Sequence, residues 1–284
     1  MGIKLSLLKN SLKNKIISII LCAGEGSRIS DFIASKPKPL IEINQKPILS
    51  YLIFNLINSH VKSIVIVTGH LHEQIENYIE SIKQKDESLR NRISIINSGN
   101  DYKKGPLYSF LSITKEKTIL KKDLIYIVFP GDTYFESSLI SEIFNSINNN
   151  SSFIQNNSII FYQESKGKKL KKNTTPNKSI SVIITEKQES KEIVKEIKQI
   201  GFSSINKTSN YKQIIPLFVF DYKFIANIIT TENKGSIKTI REIINLLIKA
   251  KKNLYAFSLK PNNKFYDIDI KSDLLNLNQK KRGQ

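Results

Sequence analysis

The chain has 284 residues, of which 40% are hydrophobic and 24% are charged, a composition that is typical of a globular protein with ample material for a core. Its 44 Lys and Arg residues outnumber 25 Asp and Glu residues, and the net charge of +19 favours anionic partners such as nucleotides, nucleic acids or acidic lipids. Because Cys22 is the only cysteine, an internal disulfide and a multi-cysteine zinc or iron–sulfur site are excluded.

The apolar segment Ile16–Ala23 follows several lysines, as the apolar part of a secretory signal does. It is only about eight residues long, and no small-residue cleavage site follows it. Bulky Leu21 precedes Cys22, where lipoprotein processing requires a small residue. No stretch reaches the ~20 apolar residues that a membrane span needs. We therefore expect a cytoplasmic protein.

Strands and helices alternate through the first half of the chain. Four apolar, β-branched runs predict strands at Lys15–Ala23, Ser63–Thr68, Arg92–Asn97 and Asp123–Phe129. Apolar residues at helical spacing follow each strand and predict helices from Pro47 onward, over 71–82, over Pro106–Lys117 and over 140–147. This alternation predicts an α/β fold with a Rossmann-like, mostly parallel sheet covered by helices on both faces.

The second half is less regular. Its predicted elements are the strands Ser158–Tyr162, Ile180–Thr185, Ile214–Phe220 and Leu254–Leu259 and the helices Ile237–Lys251 and Ser272–Asn278. Asn148–Ser152 and Lys166–Lys178 are low in complexity and are expected to be loops. We predict one domain whose core comprises about 14–147 and 213–280, with a smaller mixed β insertion at about 148–212.

Lysines are concentrated in the second half. Between Ile160 and Lys212 there are 12 Lys and 5 Glu, so this segment carries +7 of the total charge. Two interpretations remain open: a solvated, mobile excursion, or a patch that attracts phosphates or a membrane surface. Membrane contact would involve Lys166–Lys172.

Four glycines follow predicted strands and have polar residues beside them: Gly24, Gly69, Gly99 and Gly131. Turn formation alone explains any one of them. The carboxyl ends of parallel strands meet at one edge of the sheet, where ligands of such folds bind. Four glycines at this edge therefore favour a ligand that lies close to the backbone.

The loop Gly24–Arg28 combines glycines with a cation. Glycines let backbone N–H groups turn toward phosphate oxygens, and the Arg28 guanidinium adds charged donors. Ile29 stands where a dinucleotide fingerprint needs its third glycine, and no Gly-Lys-Ser/Thr of a P-loop follows. In Lys36–Leu40, two prolines restrict the backbone and could aim two ammonium groups at one point.

Together, three segments resemble the opening of the nucleoside-triphosphate transferase superfamily, which contains sugar-phosphate nucleotidyltransferases and phosphoalcohol cytidylyltransferases. They are Leu21–Arg28, Lys36–Leu40 and Lys46–Leu49. The likeness continues in order over roughly the first 145 residues. Near the end of the sequence, Phe265–Asp269 resembles the family's closing segment, although Ile270 replaces its usual threonine.

The resemblance implies an enzyme that joins a nucleoside triphosphate (NTP) to a phosphorylated acceptor and releases pyrophosphate. Both reactants are anionic, so their repulsion must be cancelled by backbone donors, cations and metal. By this resemblance Arg28 and Lys38 are catalytic, and Mg²⁺ is held by Asp132 and Asp267, with Asp269 as a further or substitute oxygen ligand. Magnesium prefers a few carboxylates together with phosphates and waters.

The same resemblance implies a nucleotide-binding set and an acceptor contact. The nucleotide-binding residues are Ala23, Gly24, Glu25, Gly26, Ser27, Gly69, Asn100, Gly105 and Ser109. Lys198 lies roughly where relatives contact the acceptor phosphate, although a solvated lysine on a lysine-rich strand is the alternative. The loosely aligned middle, about 163–212, would determine acceptor specificity.

Within the family, three segments are most similar to the cytidylyltransferase branch: Lys104–Phe110, Pro216–Asp221 and Asp267–Asp269. This resemblance implies CTP as the nucleotide and a polyol, amino-alcohol or sugar phosphate as the acceptor. A hexose 1-phosphate uridylyl- or thymidylyltransferase is the main alternative, followed by a guanylyltransferase of cofactor synthesis. A catalytically silent nucleotide-binding module and a nucleic-acid-binding protein are the non-enzymatic alternatives. The chain has no Trp and no aromatic-rich strand of the RNA-binding kind, so no nucleic-acid partner is expected.

Overall fold

The computed structural model describes residues 14–26, 35–172, 178–231, 237–261, 264–269 and 271–282. Within these ranges the strands are β1 Ile16–Leu21, β2 Glu42–Ile43, β3 Lys46–Pro47, β4 Ser63–Thr68, β5 Ile93–Asn97, β6 Ile125–Pro130, β7 Thr133–Phe135, β8 Ile159–Lys166, β9 Ser179–Gln188, β10 Lys191–Gly201, β11 Asn210–Asp221, β12 Tyr255–Ser258 and β13 Phe265–Asp267. The α-helices are α1 Ile48–Asn58, α2 His72–Lys85, α3 Pro106–Leu111, α4 Ser137–Asn149, α5 Ser151–Ile154, α6 Gly167–Lys172, α7 Tyr222–Thr231, α8 Ile240–Lys249 and α9 Lys271–Arg282.

One nine-stranded sheet, in the order β5-β4-β1-β6-β11-β8-β12-β10-β9, organises the molecule. Its first four strands are parallel, with β1 at the centre between β4 and β6. From β11 onward most pairings are antiparallel, β8 and β12 being parallel. Strand β9 also pairs with β11, where Val182 lies opposite Gln213, so the second half of the sheet curls back on itself.

Helices cover both faces of the sheet, which confirms the predicted α/β fold. Side chains of β1 alternate between the two cores: Ile16 and Ile20 belong to one, Ile17 and Ile19 to the other. The first core also contains the apolar faces of α1, α2 and α4, and the second those of α3, α7 and α8. Burial on both faces explains why the parallel strands are almost continuously apolar.

Two expected loops contain helix. Residues 148–152 span the end of α4 and the start of α5, because Ile147 and Ile154 on either side are buried in the core and hold the asparagine-rich stretch in helical turns. Within 166–178, residues 167–172 form α6, and 173–177 lie outside the described residues. Leu170 fixes α6 by packing into a small apolar cluster with Ile180 and Phe202.

Two other elements differ from the sequence-based prediction. The predicted helix Pro106–Lys117 is α3 followed by a 3-10 turn, Ser112–Lys115. Strand β10 was predicted only as a lysine-rich strand around Lys198, without bounds, because its lysines and glutamates hide a run that buries Ile193, Val194 and Ile197. Across the described ranges, no helix combines the length and apolarity needed to cross a bilayer.

Candidate functional site

A cleft of about 570 Å³ opens at the carboxyl ends of β1 and β6. One end is formed by the loop after β1, the Lys38 turn, Asp132 and the segment 265–269. The opposite wall comes from β9, β10, β11 and the start of α8. The cleft therefore lies at the edge where the parallel-strand arrangement predicts a ligand.

Lys38 is placed in the cleft by a rigid turn. It begins the 3-10 turn Lys38–Leu40, which Pro37 precedes and in which the Leu40 N–H donates to the Pro37 carbonyl at 2.9 Å. Only 7% of Lys38 is exposed. Its Nζ lies 3.6 Å from Asp132 Oδ2 and 3.5 Å from Asp269 Oδ1, so a single ammonium group bridges two carboxylates from distant parts of the chain.

The C-terminal aspartates reach Asp132 through strand pairing. Asp132 lies between β6 and β7, and β7 pairs antiparallel with β13 so that Thr133 lies opposite Asp267. The Thr133 hydroxyl donates to Asp267 Oδ1 at 2.6 Å, and the Ile268 N–H donates to the Asp132 carbonyl at 3.4 Å. The short β7–β13 ladder thus joins the middle of the chain to its C-terminal segment at the site.

Loss of solvation is the main cause of the raised pKa values of Asp132 and Asp267. Loss of solvation in the cleft raises the pKa of Asp132; the Lys38 ammonium opposes this shift and Asp269 adds to it. Asp267 has accessible surface but is densely surrounded by protein, and the loss of solvation raises its pKa to about 6. The hydrogen bond from Thr133 opposes this increase, and the charges of Asp132 and Asp269 add to it. Concentrated negative charge of this kind favours a bound cation.

The donor set fits magnesium. Mg²⁺ commonly takes one or two carboxylates and completes its coordination with phosphate oxygens and water. Asp132 and Asp267 supply such hard oxygen atoms, and Asp269 lies close enough to both for its charge to affect their pKa values. In the described part of the chain, no group of three or more His, Cys, Asp or Glu side chains forms a ready-made metal cage.

The glycine loop passes directly over Lys38. Gly26 has φ +66°, and a Cβ there would lie 2.8 Å from Lys38 Cγ, so this close approach requires glycine. Gly24 has open space around its Cβ position, which leaves its backbone accessible from the cleft. Two residues of the predicted loop, Ser27 and Arg28, lie outside the described residues.

Other predicted nucleotide contacts are divided between the cleft and its surroundings. Ala23, Gly24, Gly26 and Ser109 line the cleft. Four do not: Glu25, Gly69, Asn100 and Gly105. Gly69 lies behind the lining, where a Cβ would come within 2.8 Å of Ala23 and of the Ser98 hydroxyl.

Lys198 does not line the cleft. Strand alternation places its neighbours Ile197 and Gln199 in the lining, while Lys198 is exposed and pairs with Glu196 at 3.2 Å. This placement gives no support to an acceptor contact by Lys198.

Sequence reasoning missed the polar residues of the opposite wall. Ser181, Gln199, Gln213 and Arg241 line the cleft there, and no motif marks them. The Arg241 Nη1 donates to Gln199 Oε1 at 2.7 Å. The alternation of β10 could have indicated Gln199, but Arg241 reaches the cleft only because α8 begins beside it.

With this geometry established, comparison with known proteins identifies the family. A family model described as Nucleotidyl transferase matches residues 17–283. The match covers nearly the whole chain, and the chain therefore belongs to this family. It includes the loop after β1, the Lys38 turn and all three aspartates.

Curated relatives are similar over part of the chain. The bifunctional protein GlmU of Methanococcus maripaludis (strain S2) is 32% identical over 128 residues, which are 45% of this chain and 27% of that protein. D-glycero-alpha-D-manno-heptose 1-phosphate guanylyltransferase of Campylobacter jejuni is 30% identical over 43% of this chain and 50% of its own length. The choline-phosphate cytidylyltransferase of Haemophilus influenzae is 46% identical over 59 residues, 21% of this chain and 25% of its own. The similar region spans about a quarter to a half of these relatives.

Solved structures share the whole fold. UDP-glucose pyrophosphorylase, solved in complex with UDP-glucose, superimposes with a TM-score of 0.67 at 17% identity, covering 94% of this chain and 98% of that chain. The CTP:phosphocholine cytidylyltransferase of Streptococcus pneumoniae superimposes with a TM-score of 0.62 at 18% identity, covering 94% and 99%. At these identities the likeness establishes the mixed α/β fold.

Proposed function

We propose that the chain is a Mg²⁺-dependent nucleotidyltransferase that moves a nucleoside monophosphate from an NTP to a small phosphorylated acceptor. An acceptor phosphate oxygen forms a bond to the α-phosphorus, the bond from this phosphorus to the bridging oxygen breaks, and pyrophosphate leaves. The supporting observation is the convergence of Lys38, Asp132, Asp267 and Asp269 at one end of the cleft.

In this reaction the chain's own groups overcome repulsion between two anions. The Lys38 ammonium, held in place by its turn, would compensate negative charge that builds up on the α-phosphate. Backbone N–H groups of Gly24 and Gly26 would hold the triphosphate, with Arg28 adding charged donors. Asp132 and Asp267 would hold the magnesium ion, which when bound neutralises phosphate charge and orients the leaving group.

As a ligand is bound, Lys38 would exchange partners. Without nucleotide its ammonium faces Asp132 and Asp269. A cation bound by these carboxylates would weaken that attraction and leave the ammonium to interact with phosphate oxygens. Lys38 would thereby offset the negative charge of the aspartates and also serve the reaction.

We propose CTP as the preferred nucleotide. The support is the 46% identity to a choline-phosphate cytidylyltransferase, together with the similarity of Lys104–Phe110 to the cytidylyltransferase branch. GTP is the alternative that a relative raises, since that relative is a guanylyltransferase by name. UTP and dTTP are the alternatives that the resemblance of the sequence motifs implies.

A matrix of nucleotides against acceptors tests the proposal. Each of CTP, UTP, dTTP and GTP is incubated with Mg²⁺ and with inositol 1-phosphate, glucose 1-phosphate or phosphocholine, and released pyrophosphate is measured. We expect one nucleotide, CTP, to give acceptor-dependent turnover that EDTA abolishes. Absence of pyrophosphate in every combination, with tight and salt-sensitive binding to random oligonucleotides, would instead support a nucleic-acid-binding protein.

A further inference from the structure

The two ends of the cleft differ in charge. Lys38 and the three aspartates lie at one end, and among the described residues that line the cleft Arg241 is the only other charged side chain. The separation between Arg241 and the aspartates can be traced along β9. Lys178, just before this strand, donates to the Asp267 carbonyl. Ser181 lies three residues further on, about 10 Å of extended chain, and is opposite Gln199, whose side chain accepts a hydrogen bond from Arg241.

The wall around Arg241 consists of neutral hydrogen-bonding groups. We call Ser181, Gln199, Gln213 and Arg241 the amide–arginine wall. Within the described ranges, no carboxylate lies within ion-pair distance of the half-buried Arg241, and its one hydrogen bond given by the structure goes to the neutral Gln199 amide oxygen. Because a guanidinium carries five N–H donors, several of them can serve a ligand.

We infer that the amide–arginine wall binds the non-phosphate end of the acceptor and selects a hydroxyl-bearing acceptor, a sugar or polyol phosphate, over an ammonium-bearing one such as phosphocholine. This inference rests on the proposed function. Amides, hydroxyls and a guanidinium supply the donors and acceptors that hydroxyl groups need, and a fixed cation repels a quaternary ammonium group. No carboxylate on the described part of this wall compensates that repulsion.

The acceptor inferred for this chain differs from the choline phosphate for which one relative is named. The identity to a choline-phosphate cytidylyltransferase covers 59 residues, whereas the wall extends along the sequence from Ser181 in β9 to Arg241 in α8. The matched segment is too short to contain the whole wall, so the acceptor of that relative need not be the acceptor of this chain.

The decisive variant is Arg241→Glu, which reverses the charge of the wall. Glu is compatible with the first turn of α8, because a helix N-terminus favours negative charge. The matched control is Lys252→Glu, an equal change of net charge at an exposed position beyond the end of the same helix. Arg241→Gln, which removes the charge alone, is the second variant, and thermal denaturation checks that all three remain folded.

We expect kcat/KM of the wild-type protein for inositol 1-phosphate or glucose 1-phosphate to exceed that for phosphocholine at least ~100-fold. Arg241→Glu should shift this ratio at least ~10-fold toward phosphocholine without changing the KM for the nucleotide, and Lys252→Glu should leave the ratio unchanged. Preference of the wild type for phosphocholine, or a ratio that Arg241→Glu does not move, overturns the inference.

Calorimetry can measure the affinity of the same acceptors in the presence of a non-hydrolysable nucleotide. This experiment distinguishes failure of the proposed function from failure of the inference about the wall. If nucleotide turnover is absent, the proposed function fails. The wall is still tested, because hydroxyl-bearing acceptors should bind the wild type more tightly than phosphocholine, with the preference reduced in Arg241→Glu. Equal affinities contradict the wall even if turnover is found.

Discussion

Thr133 and Asp267, 134 residues apart in sequence, are joined by a 2.6 Å hydrogen bond across the β7–β13 ladder. The bond engages one carboxylate oxygen of Asp267. Because Thr133 directly follows Asp132, this contact also fixes the spacing between the two carboxylates. The two proposed magnesium ligands, one between β6 and β7 and one in the C-terminal segment, are thereby brought together.

Replacing Asp132 with Ala should abolish nucleotide-dependent pyrophosphate release, a loss of at least ~10³-fold, because the central carboxylate of the metal site is removed. The fold should persist, since Asp132 follows a strand and has no core packing role. Asp123→Ala, an exposed position just before the other end of β6, is the matched control and should retain full activity. Near-normal turnover in Asp132→Ala would falsify the metal assignment.

Lys38→Ala should lower kcat by ~10²-fold, as expected for loss of one group that stabilises developing charge. Lys36→Ala is the matched control, because Lys36 lies two residues before Lys38 but is exposed and paired with Glu42 at 2.7 Å. Initial rates at saturating CTP and Mg²⁺ measure the difference. Equal effects of the two substitutions would mean that only general positive charge matters.

Much of the fold was predictable because its parallel half obeys simple rules. Strands buried on both faces leave long apolar runs, and β4 matches its predicted bounds of Ser63–Thr68. Elements of the less regular half of the chain were harder to predict from the sequence. In β10 charged side chains mask the buried positions, and α6 depends on the packing of Leu170 against residues that are distant in sequence.

The residues of the candidate site were also predictable only where they belong to a local sequence motif. Lys38, Asp132 and Asp267 were found because each belongs to a short segment that resembles the family's motifs, and the structure places them together. Arg241 and Gln199 belong to no such segment, since their approach results from the meeting of α8 and β10. Residues that act through tertiary contacts leave no local signal.

Lys178 is expected to act as a positioning residue. Its Nζ contacts Asp273 Oδ2 at 2.6 Å and donates to the Asp267 carbonyl at 2.9 Å, while Asp273 accepts from the Asp269 N–H. Lys178→Met should therefore weaken the apparent Mg²⁺ affinity by ~10-fold, as loss of an outer-shell partner does. Titration of activity with Mg²⁺ measures this effect.

Two further variants separate positioning by Lys178 from a merely structural role. Lys178→Arg keeps the cation and should restore most of the Mg²⁺ affinity. Lys195→Met removes an exposed lysine of the adjacent strand, one paired with Glu186, and should change nothing. A Lys178→Met protein with normal Mg²⁺ dependence but a lower melting temperature would show that this lysine only stabilises the fold.

Gly131→Ala should destabilise the protein by ~1–3 kcal/mol, the usual cost of overpacking. A Cβ at this position would lie 2.5 Å from Cys22 Sγ and 2.9 Å from the Leu21 carbonyl oxygen. Gly24→Ala is the contrasting variant, because nothing lies within 4 Å of its Cβ position. Urea denaturation should show a lower midpoint for Gly131→Ala and an unchanged one for Gly24→Ala, and a reversed order would contradict the observed packing.

The raised pKa of Asp267, about 6, predicts how the metal-free protein responds to pH. An unfolded chain has an Asp pKa of about 3.9, so between pH 4 and 6 the folded state binds more protons than the unfolded state. The contribution of Asp267 to stability is therefore fully present below pH 4 and is lost as the pH rises through 6. Asp267→Asn should remove this part of the pH dependence in urea denaturation.

Calorimetry in buffers of different ionisation enthalpy should also detect protons released on Mg²⁺ binding at pH 5 but almost none at pH 8. Asp123→Asn, which removes an exposed carboxylate just before β6, should retain this proton release, whereas equal release by the wild type and Asp267→Asn would contradict the assignment.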